Sequence, residues 1–393
     1  MSIRKQLPDG WQWVTFGDVA KQLKEDADPE SGELERYVAG EHMNTDDLRI
    51  RSWGTIGDGY LGPAFHRRFR AGQILYGSRR TYLRKVTVAD FDGICANTTF
   101  VIEAKPDVIY PDLLPFIMQS EGFTERSIRN SKGSVNPYIN WKDIASYEFY
   151  LPPLDEQRRI AEILWAAEET IEEYLSAVAA LSLSKKIVAH DHIERLPIGN
   201  RTFSQIGDWF SGGTPSRECN TYWHGEIPWA SPKDMKVDIL MDTEEHVSEE
   251  GVRSGSRMIP PKSILFVTRG LILAHTFPVA MTGKPMAFNQ DIKAVVAHEG
   301  FDPTFVFYWL QYNAPKFLRL VTETSHGTKR LSTDSLASTL FPDISIEQQE
   351  KIAGQLGELD KEIDYFQEHI KTLRILKRKI LSELLNEETG NVQ

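Results

Sequence analysis

The stretch DEQRRIAEILWAAEETIEEYLSAVAALSLSKK, which begins at Asp155, decides how the rest of this chain is interpreted. Its apolar residues alternate four and three positions apart, a spacing that puts them in one narrow stripe along a long helix. A stripe this narrow packs against a single partner helix. The stripe consists of Ile160, Leu164, Ala167, Ile171, Tyr174, Val178 and Leu181.

A second copy of the stripe lies near the C-terminus, with each position displaced by 192 residues. It consists of Ile352, Leu356, Leu359, Ile363, Phe366, Ile370 and Leu373. Two matched seams pack most naturally on each other, so we predict an intramolecular coiled coil of antiparallel helices, as a two-fold arrangement requires. The second helix begins with a capping-box pattern, because Ser345 stands three residues before Gln348.

The segments that precede the two helices also correspond. YVAGEHMN is matched by IPWASPKDM and FRAGQILYGSRR by PPKSILFVTRG, while Asn97 and Asn289 keep the offset of 192. Strand and helix patterns in both copies predict a mixed α/β (α+β) fold, arranged as a tandem repeat. The predicted segments are a globular domain at 1–150, a spacer helix at 151–195, a second globular domain at 196–340 and a second spacer helix at 341–393.

Composition and charge narrow the class of protein. The chain has 393 residues and a formal charge of −11, and the two helical segments hold most of the excess acid. No apolar run is long enough for a membrane helix, and the start MSIRKQLPDGWQW lacks the apolar core of a secretion signal, so a cytoplasmic protein is expected. Cys95 and Cys219 show no metal-ligand spacing, so no metal site is predicted.

Basic residues gather where acidic residues are missing. No acid occurs between Asp58 and Asp90, and the corresponding run from Gly251 to Gln290 is again free of acid. A surface that faces phosphates needs this exclusion, because one carboxylate repels the backbone that several bases attract. An ordinary solvated basic face remains the alternative. The candidate DNA-binding residues of these runs are Arg67, Arg68, Arg79, Arg80, Tyr82, Arg84, Lys85, Arg257 and Arg269.

Two short loops combine glycine, hydroxyl groups and bases. They are Ser131-Lys-Gly-Ser134 and Ser325-His-Gly-Thr328. Glycine lets a backbone approach a ligand closely, and Ser or Thr donates hydrogen bonds to phosphate oxygens, although an ordinary turn would have the same composition. The candidates here are Lys132, Ser134, Thr328, Lys329 and Arg330.

Catalytic motifs give little support for a chemical step. Glu103-Ala-Lys105, with Asp92 upstream, has the composition of a nuclease metal site, but the second copy holds Val295, Val296 and Ala297 at the matching positions. No Walker loop, nucleophile elbow or glycine-rich cofactor loop is found. We therefore expect no catalytic residues, with a stand-alone endonuclease as one alternative and a DNA-independent helical adaptor as another.

The passage GSVNPYINWKDIASYEFYLPPLDEQRRIAEIL and its counterpart GTKRLSTDSLASTLFPDISIEQQEKIAGQL resemble the specificity subunits of type I restriction-modification systems. The most specific part is the Glu-Gln-x-x-Ile-Ala helix start. It corresponds to Glu156, Gln157, Ile160 and Ala161 in the first copy and to Gln348, Gln349, Ile352 and Ala353 in the second. The second copy departs from the pattern at Gln348, where the family usually has Glu.

The resemblance implies a function. Each globular domain would be a target-recognition domain that reads one half of a bipartite double-stranded DNA site, and the paired helices would set the gap between the halves. Two methyltransferase subunits would dock on the helices, and motor-nuclease subunits would join them. S-adenosylmethionine, Mg²⁺ and ATP would be bound by those partners, and this subunit would bind no cofactor of its own.

Overall fold

The computed structural model of the chain describes residues 9–323 and 327–384. The chain is divided into two compact units. The first unit contains the described parts of Met1–Leu175 and Glu368–Gln393, and the second is Ser176–Gln367. The division passes through both long helices, whereas the sequence division treats each helix as a segment of its own. Each unit therefore contains one globular domain and one part of each helix.

The first unit is built from antiparallel strands with short helices packed on them. A four-stranded sheet has the order β2-β9-β6-β7, and a second has the order β4-β3-β8-β5 with β3 and β8 parallel, while β1 pairs with β10. The elements are β1 (Gln12–Thr15), α1 (Phe16–Val19), β2 (Ala20–Leu23), β3 (Arg36–Val38), β4 (Gly54–Thr55), β5 (Phe65–Phe69), β6 (Ile74–Gly77), β7 (Val86–Val88), β8 (Gly93–Ala96), β9 (Thr99–Ala104), α2 (Leu114–Gln119), α3 (Glu121–Arg129), α4 (Trp141–Ala145), β10 (Glu148–Leu151) and α5 (Leu154–Ala189).

The second unit contains a related succession of elements, with β14, α6, β21 and β22 in addition. Its sheets have the orders β12-β20-β17-β18-β14 and β15-β13-β19-β16, and β11 pairs with β23 and β21 with β22. The elements are β11 (Ile198–Thr202), β12 (Gly207–Ser211), β13 (Ile227–Ala230), β14 (Ile239–Leu240), β15 (His246–Val247), α6 (Glu249–Gly255), β16 (Met258–Ile259), β17 (Ile264–Val267), β18 (Val279–Thr282), β19 (Met286–Phe288), β20 (Ile292–Ala297), α7 (Pro303–Leu318), β21 (Val321–Glu323), β22 (Lys329–Leu331), α8 (Thr333–Ala337), β23 (Leu340–Pro342) and α9 (Ile346–Leu384).

The strand orders show that the two domains share one topology. The sheet β2-β9-β6-β7 corresponds to β12-β20-β17-β18, and the parallel pair of β3 with β8 corresponds to that of β13 with β19. Tyr37, which faces Ile94 in the first parallel pair, is matched 192 residues later by Trp229, which faces Ala287 in the second. The tandem repeat predicted from the sequence is therefore confirmed in the strand pairings.

In the first unit, the long helices contact each other and the domain core. Ile160 and Leu164 of α5 and Leu381 of α9 lie in the same buried cluster as the domain's own apolar residues. Further along, the rings of Tyr174 and His369 are 5.9 Å apart. Because higher numbers on α5 meet lower numbers on α9, the helices are antiparallel here, as predicted.

The second unit repeats this arrangement. Ile352 and Leu356 of α9 are buried in its core, and Lys185 of α5 contacts Asp360 of α9 at 2.6 Å. The capping box is confirmed, since the Ser345 amide donates to Gln348 Oε1 at 3.2 Å and the Gln348 amide donates to Ser345 Oγ at 3.3 Å. The predicted seam thus has two roles. Its first positions on each helix pack in a globular core, and its later positions contact the other long helix.

The structure confirms the mixed α/β class with two long antiparallel helices. They contain 36 residues in α5 and 39 in α9, and at about 1.5 Å per residue each is more than 50 Å long. The end of the segment predicted as the second spacer helix, 385–393, lies outside the described residues. Among those described, no helix has the length and apolarity needed to cross a membrane.

Candidate nucleic-acid interface

An exposed arginine follows strand β6 in the first domain and the corresponding strand β17 in the second. In the first domain, β6 ends at Gly77, and Arg79 then forms an isolated antiparallel bridge with Tyr138. The backbone of Tyr138 exchanges hydrogen bonds of 2.8 and 2.9 Å with Lys132. This closes a turn around Gly133, whose φ of +88° favours glycine over any residue with a side chain. The fold therefore places Arg79 beside the basic glycine turn.

The second domain builds the same junction from different residues. After β17, Arg269 forms an isolated antiparallel bridge with Arg330, and the amide of Gly270 donates to the carbonyl of Lys329 at 3.0 Å. Gly327 has a φ of +78°, which corresponds to the conformation of Gly133. Ser325, predicted as part of this loop, lies outside the described residues. The candidates Arg269, Lys329 and Arg330 are thus brought together.

Several other candidates are engaged by carboxylates from outside the acid-free run. Arg67 pairs with Asp26 at 2.8 Å and Arg68 with Glu33 at 2.6 Å, and both side chains are largely buried. Lys85 donates to the carbonyl of Gly40. No acidic residue occurs within the run, but the fold places Asp26 and Glu33, from an earlier part of the chain, next to its arginines. These three side chains are therefore held by intramolecular contacts.

Arg84 has the most complete set of structural contacts among these candidates. It meets Asp46 at 2.7 Å and Glu121 at 2.8 Å, and it donates to the carbonyl of Gln119 at 2.6 Å. Burial lowers the pKa of Arg84, but the two carboxylates outweigh it and the net shift is upward. Its φ of +49° shows that the backbone is also constrained at this position. This arrangement holds the domain together and leaves little of the guanidinium accessible.

The remaining candidates present accessible groups. Arg79, Arg80, Ser134, Arg257, Arg269 and Arg330 are exposed, as are Tyr82 at 52% and the side chain of Lys132 at 50%. Lys132 has only a 3.6 Å contact with Asp143, and Lys329 contacts Glu323. Thr328 is partly buried. An exposed guanidinium without a close carboxylate can still form a bidentate contact with a base or a phosphate.

The first domain also holds a cavity that joins Lys142, a base of the acid-free window after Glu125, to polar residues that the sequence did not indicate. The cavity has a volume of about 590 Å³ and lies beside Arg79. Its lining includes Gln22, Lys24, Asn97, Asn140, Trp141 and Lys142. Amide and cationic groups around an open polar cavity can hydrogen-bond to nucleotide edges and phosphates. No linear pattern predicts this set, because Lys24 and Asn140 come from elements far apart in the sequence.

The residues of the nuclease-like motif have separate structural partners. Asp92 accepts the Ala71 amide at 2.9 Å, Glu103 pairs with Lys21 at 3.0 Å, and Lys105 donates to the carbonyl of Gly17 at 2.6 Å. In the part of the chain that the structure describes, no group of three or more His, Cys, Asp or Glu residues is placed to hold a metal ion. Cys95 is buried, and burial raises its pKa to about 12.

A family model described as the type I restriction modification DNA specificity domain matches residues 8–178 and 199–374. The chain belongs to this family. The specificity subunit of type I restriction enzyme EcoR124I/EcoR124II from Escherichia coli is 33% identical over 162 residues, 41% of this chain and 40% of that protein. The EcoDI specificity subunit from Escherichia coli is 31% identical over 257 residues, 64% of this chain and 51% of that protein.

The chain thus spans about half or less of the length of these two relatives. Among solved structures, the S subunit of a type I restriction-modification system from M. genitalium superposes with a TM-score of 0.62 at 15% identity, covering 99% of this chain and 100% of that one. A chain from a study of complex assembly in the type I R-M system gives 0.57 at 20% identity and covers 96% and 98%. These likenesses show that the fold is shared.

The glutamines that carried the resemblance to the specificity subunits join each domain to its helix. The side chain of Gln157, 1% exposed, donates to the Pro152 carbonyl at 2.8 Å and accepts the Tyr110 amide at 2.7 Å. Gln349, also 1% exposed, accepts the Asp302 amide at 3.0 Å. Each glutamine therefore ties the start of its long helix to the segment just before the domain helix, α2 or α7. The domain and its arginine junction are held in a defined orientation on the helix.

Proposed function

We propose that this chain is the DNA-specificity subunit of a type I restriction-modification enzyme and that each domain reads one half of a bipartite double-stranded site. The observation that carries the proposal is the duplicated junction, in which an exposed arginine after a matched strand is bridged to a basic glycine turn. Arg79 with Lys132 forms it in the first domain, and Arg269 with Arg330 in the second. A duplicated recognition element is what a site of two halves requires.

The two kinds of residue in each junction have different roles. Arg79, Arg80 and Arg269 would direct guanidinium groups to guanine edges, where a bidentate contact provides about 1 to 3 kcal/mol of discrimination. Lys132, Lys329 and Arg330 would bind phosphates, assisted by the hydroxyl groups of Ser134 and Thr328. Arg257, which lies over the Phe210 ring at 5.4 Å, would extend the basic surface of the second domain.

The helices supply the second part of the function. Their excess of acidic residues disfavours contact with phosphates, so we infer that they bind protein, namely two methyltransferase subunits and, with them, restriction subunits. S-adenosylmethionine, Mg²⁺ and ATP would be bound by those partners, and this chain would perform no chemical step. The assembled enzyme would act in the cytoplasm.

A salt titration of fluorescence anisotropy with the methyltransferase subunits present tests the proposal. Arg79→Ala should weaken binding chiefly to duplexes that carry the first half-site, and Arg269→Ala chiefly to those that carry the second. Lys132→Ala should weaken binding to all sequences and reduce the slope of log K against log salt by about 0.9. Arg195→Ala, which removes an exposed guanidinium paired with Asp191, is the matched control.

The sequences that are read would come from a methylation-sensitive sequencing map of host DNA with and without the gene. The expected result is one bipartite motif with a constant spacer. Absence of affinity for every duplex at low salt, with the methyltransferase subunits present, would refute the proposal.

A further inference from the structure

A lysine is buried where the two helices meet in the first unit. Lys377 of α9 is 5% exposed and contacts the carboxylate of Glu168 on α5, itself 8% exposed. Its Nζ also donates to Gln119 Oε1 of α2 at 3.1 Å and lies 5.8 Å from the centre of the Phe116 ring. We call these four residues the first station. It joins both long helices and a helix of the globular domain.

The second unit contains a corresponding but more open arrangement, with the Lys185 side chain 21% exposed, which we call the second station. Lys185 of α5 contacts Asp360 of α9 at 2.6 Å and lies 5.1 Å from the centre of the Tyr308 ring on α7. It also has a longer contact of 3.7 Å with Asp238, which has no equivalent among the described residues of the first station. The Tyr308 hydroxyl donates to Asp360 at 2.7 Å. Gln311 of α7 lines the same pocket as Lys185 and Asp360. Each of these four residues is displaced by 192 from its counterpart in the first station.

The helices exchange roles between the stations. In the first, α9 supplies the lysine and α5 the carboxylate, whereas in the second α5 supplies the lysine and α9 the carboxylate. A two-fold repeat produces this exchange. Its presence at equivalent places in both copies argues against a chance surface pair, as does the burial of Lys377.

The stations specify the register of the helix pair, which the apolar seam specifies only weakly. A stripe that repeats every seven residues is nearly unchanged when one helix slides by seven, so it specifies a register weakly. In a shifted register, Lys377 would meet Ala161 or Leu175 in place of Glu168. A buried ammonium without a carboxylate is costly, because nothing replaces its lost hydration. The wrong registers are therefore penalised much more than the correct one is stabilised.

We propose that the two stations are register locks, and that Lys377, Glu168, Lys185 and Asp360 are positioning residues that select one alignment of the helix pair. This inference rests on the proposed function for its consequence, namely that one alignment gives one separation of the two half-sites. A slip of seven residues moves a helix by about 10.5 Å, the length of roughly three base pairs. Substrate choice would then depend on side chains that touch no DNA.

Disulfide trapping in the full chain tests the lock without any DNA. With Cys219→Ser as background, Tyr174→Cys with His369→Cys reports the native register, and Tyr174→Cys with Leu376→Cys reports a slip of seven. Each cysteine pair is introduced into two proteins. One keeps the natural stations, and the other has neutral stations with the substitutions Lys377→Met, Glu168→Met, Lys185→Met and Asp360→Asn. Replacing both partners leaves neither Lys377 nor Glu168 buried without its counter-charge, and Asp238, which loses Lys185, keeps the hydrogen bond from Gln311 at 2.8 Å. Lys379→Met with Glu383→Gln, an exposed pair on α9, is the control.

We expect only the native pair to cross-link in the natural and control proteins. The neutral stations should raise the slipped cross-link about tenfold, equivalent to about 1.4 kcal/mol. A charge exchange, Glu168→Lys with Lys377→Glu, should keep the native cross-link alone, because Gln119 can orient its amide toward either charge. An unchanged slipped cross-link in the folded neutral-station protein would overturn the lock. If the neutral-station protein does not fold, the charge-exchanged protein provides the test. The register lock would be overturned if both the native and the slipped cross-link form in it.

A methylation map of the reconstituted enzyme then tests the consequence. The neutral-station variant should methylate sites whose halves are separated by a second distance, about three base pairs from the first. Altered cross-links with an unaltered spacer would uphold the lock and overturn its role in site choice. A natural protein that supports no bipartite methylation would refute the proposed function and leave the cross-linking result standing.

Discussion

The glutamine at the start of α5 allows the effect of a substitution to be estimated from the structure. Gln157→Leu keeps the volume but removes the donor to the Pro152 carbonyl at 2.8 Å and the acceptor for the Tyr110 amide at 2.7 Å. Both backbone groups would then lie unpaired at a site where Gln157 is 1% exposed. Each such group costs about 1 to 3 kcal/mol. The expected loss is therefore about 3 kcal/mol of unfolding free energy.

The corresponding substitution in the second copy should cost less. The Gln349 amide is shared between two carbonyls at 3.3 Å, and its oxygen accepts the Asp302 amide at 3.0 Å. Longer bonds are weaker, so Gln349→Leu should lose about 2 kcal/mol. Gln355→Leu, an exposed position on the same helix, should change stability by less than about 0.5 kcal/mol.

Urea unfolding followed by circular dichroism measures these differences. The midpoint should fall for Gln157→Leu and Gln349→Leu at a nearly constant slope, which shows that the surface exposed on unfolding is unchanged. A shift of about 3 kcal/mol corresponds to a decrease in Tm of roughly 6 to 12 °C. A Gln157→Leu protein that is as stable as the Gln355→Leu control would refute the assignment of these glutamines as the joints between domain and helix.

Three further substitutions separate structural roles from recognition. Arg84→Met should lower the unfolding free energy by about 2 kcal/mol, because Glu121 and the Gln119 carbonyl lose their partner while Asp46 keeps only Arg378. Urea unfolding should show this loss while DNA affinity per folded molecule stays constant. Asp47→Asn should destabilise the protein by about 1 to 2 kcal/mol at pH 7. Burial raises the pKa of Asp47, but hydrogen bonds to its carboxylate lower it further than burial raises it. The stabilisation is complete above the unfolded pKa of about 3.9 and is lost as pH falls through the folded pKa, so urea curves of the two proteins should converge there. Ser345→Ala should cost about 1 kcal/mol by removing the cap of α9, and Ser345→Asn, which keeps an acceptor, should cost much less.

Local sequence patterns predicted those helices, caps and turns that depend only on residues close together in the sequence. The alternation of four and three residues determines one face of a helix whatever surrounds it, and the capping box at Ser345 needs only residues three positions apart. The recurring offset of about 192, which is 190 from Leu75 to Leu265 and 194 from Gly133 to Gly327, then predicted that one topology occurs twice, because similar patterns fold into similar elements. The glycine turns were also predictable, since a positive φ selects glycine at Gly133 and Gly327.

The tertiary structure decided which charges are available. Arg79 and Arg84 lie five residues apart in the same acid-free run, yet Arg79 is exposed and Arg84 is enclosed by Asp46 and Glu121. The sequence window could not separate them, because charge pairing acts through space and the acids come from other elements. The pairing of Lys377 with Glu168, 209 residues apart, has the same origin. The repeated pattern in the sequence determined that two helices pair and that two domains share a topology, because both follow from local periodicity. Folding decided which charged side chains are buried in ion pairs and which remain exposed, because those pairings join residues far apart in the sequence.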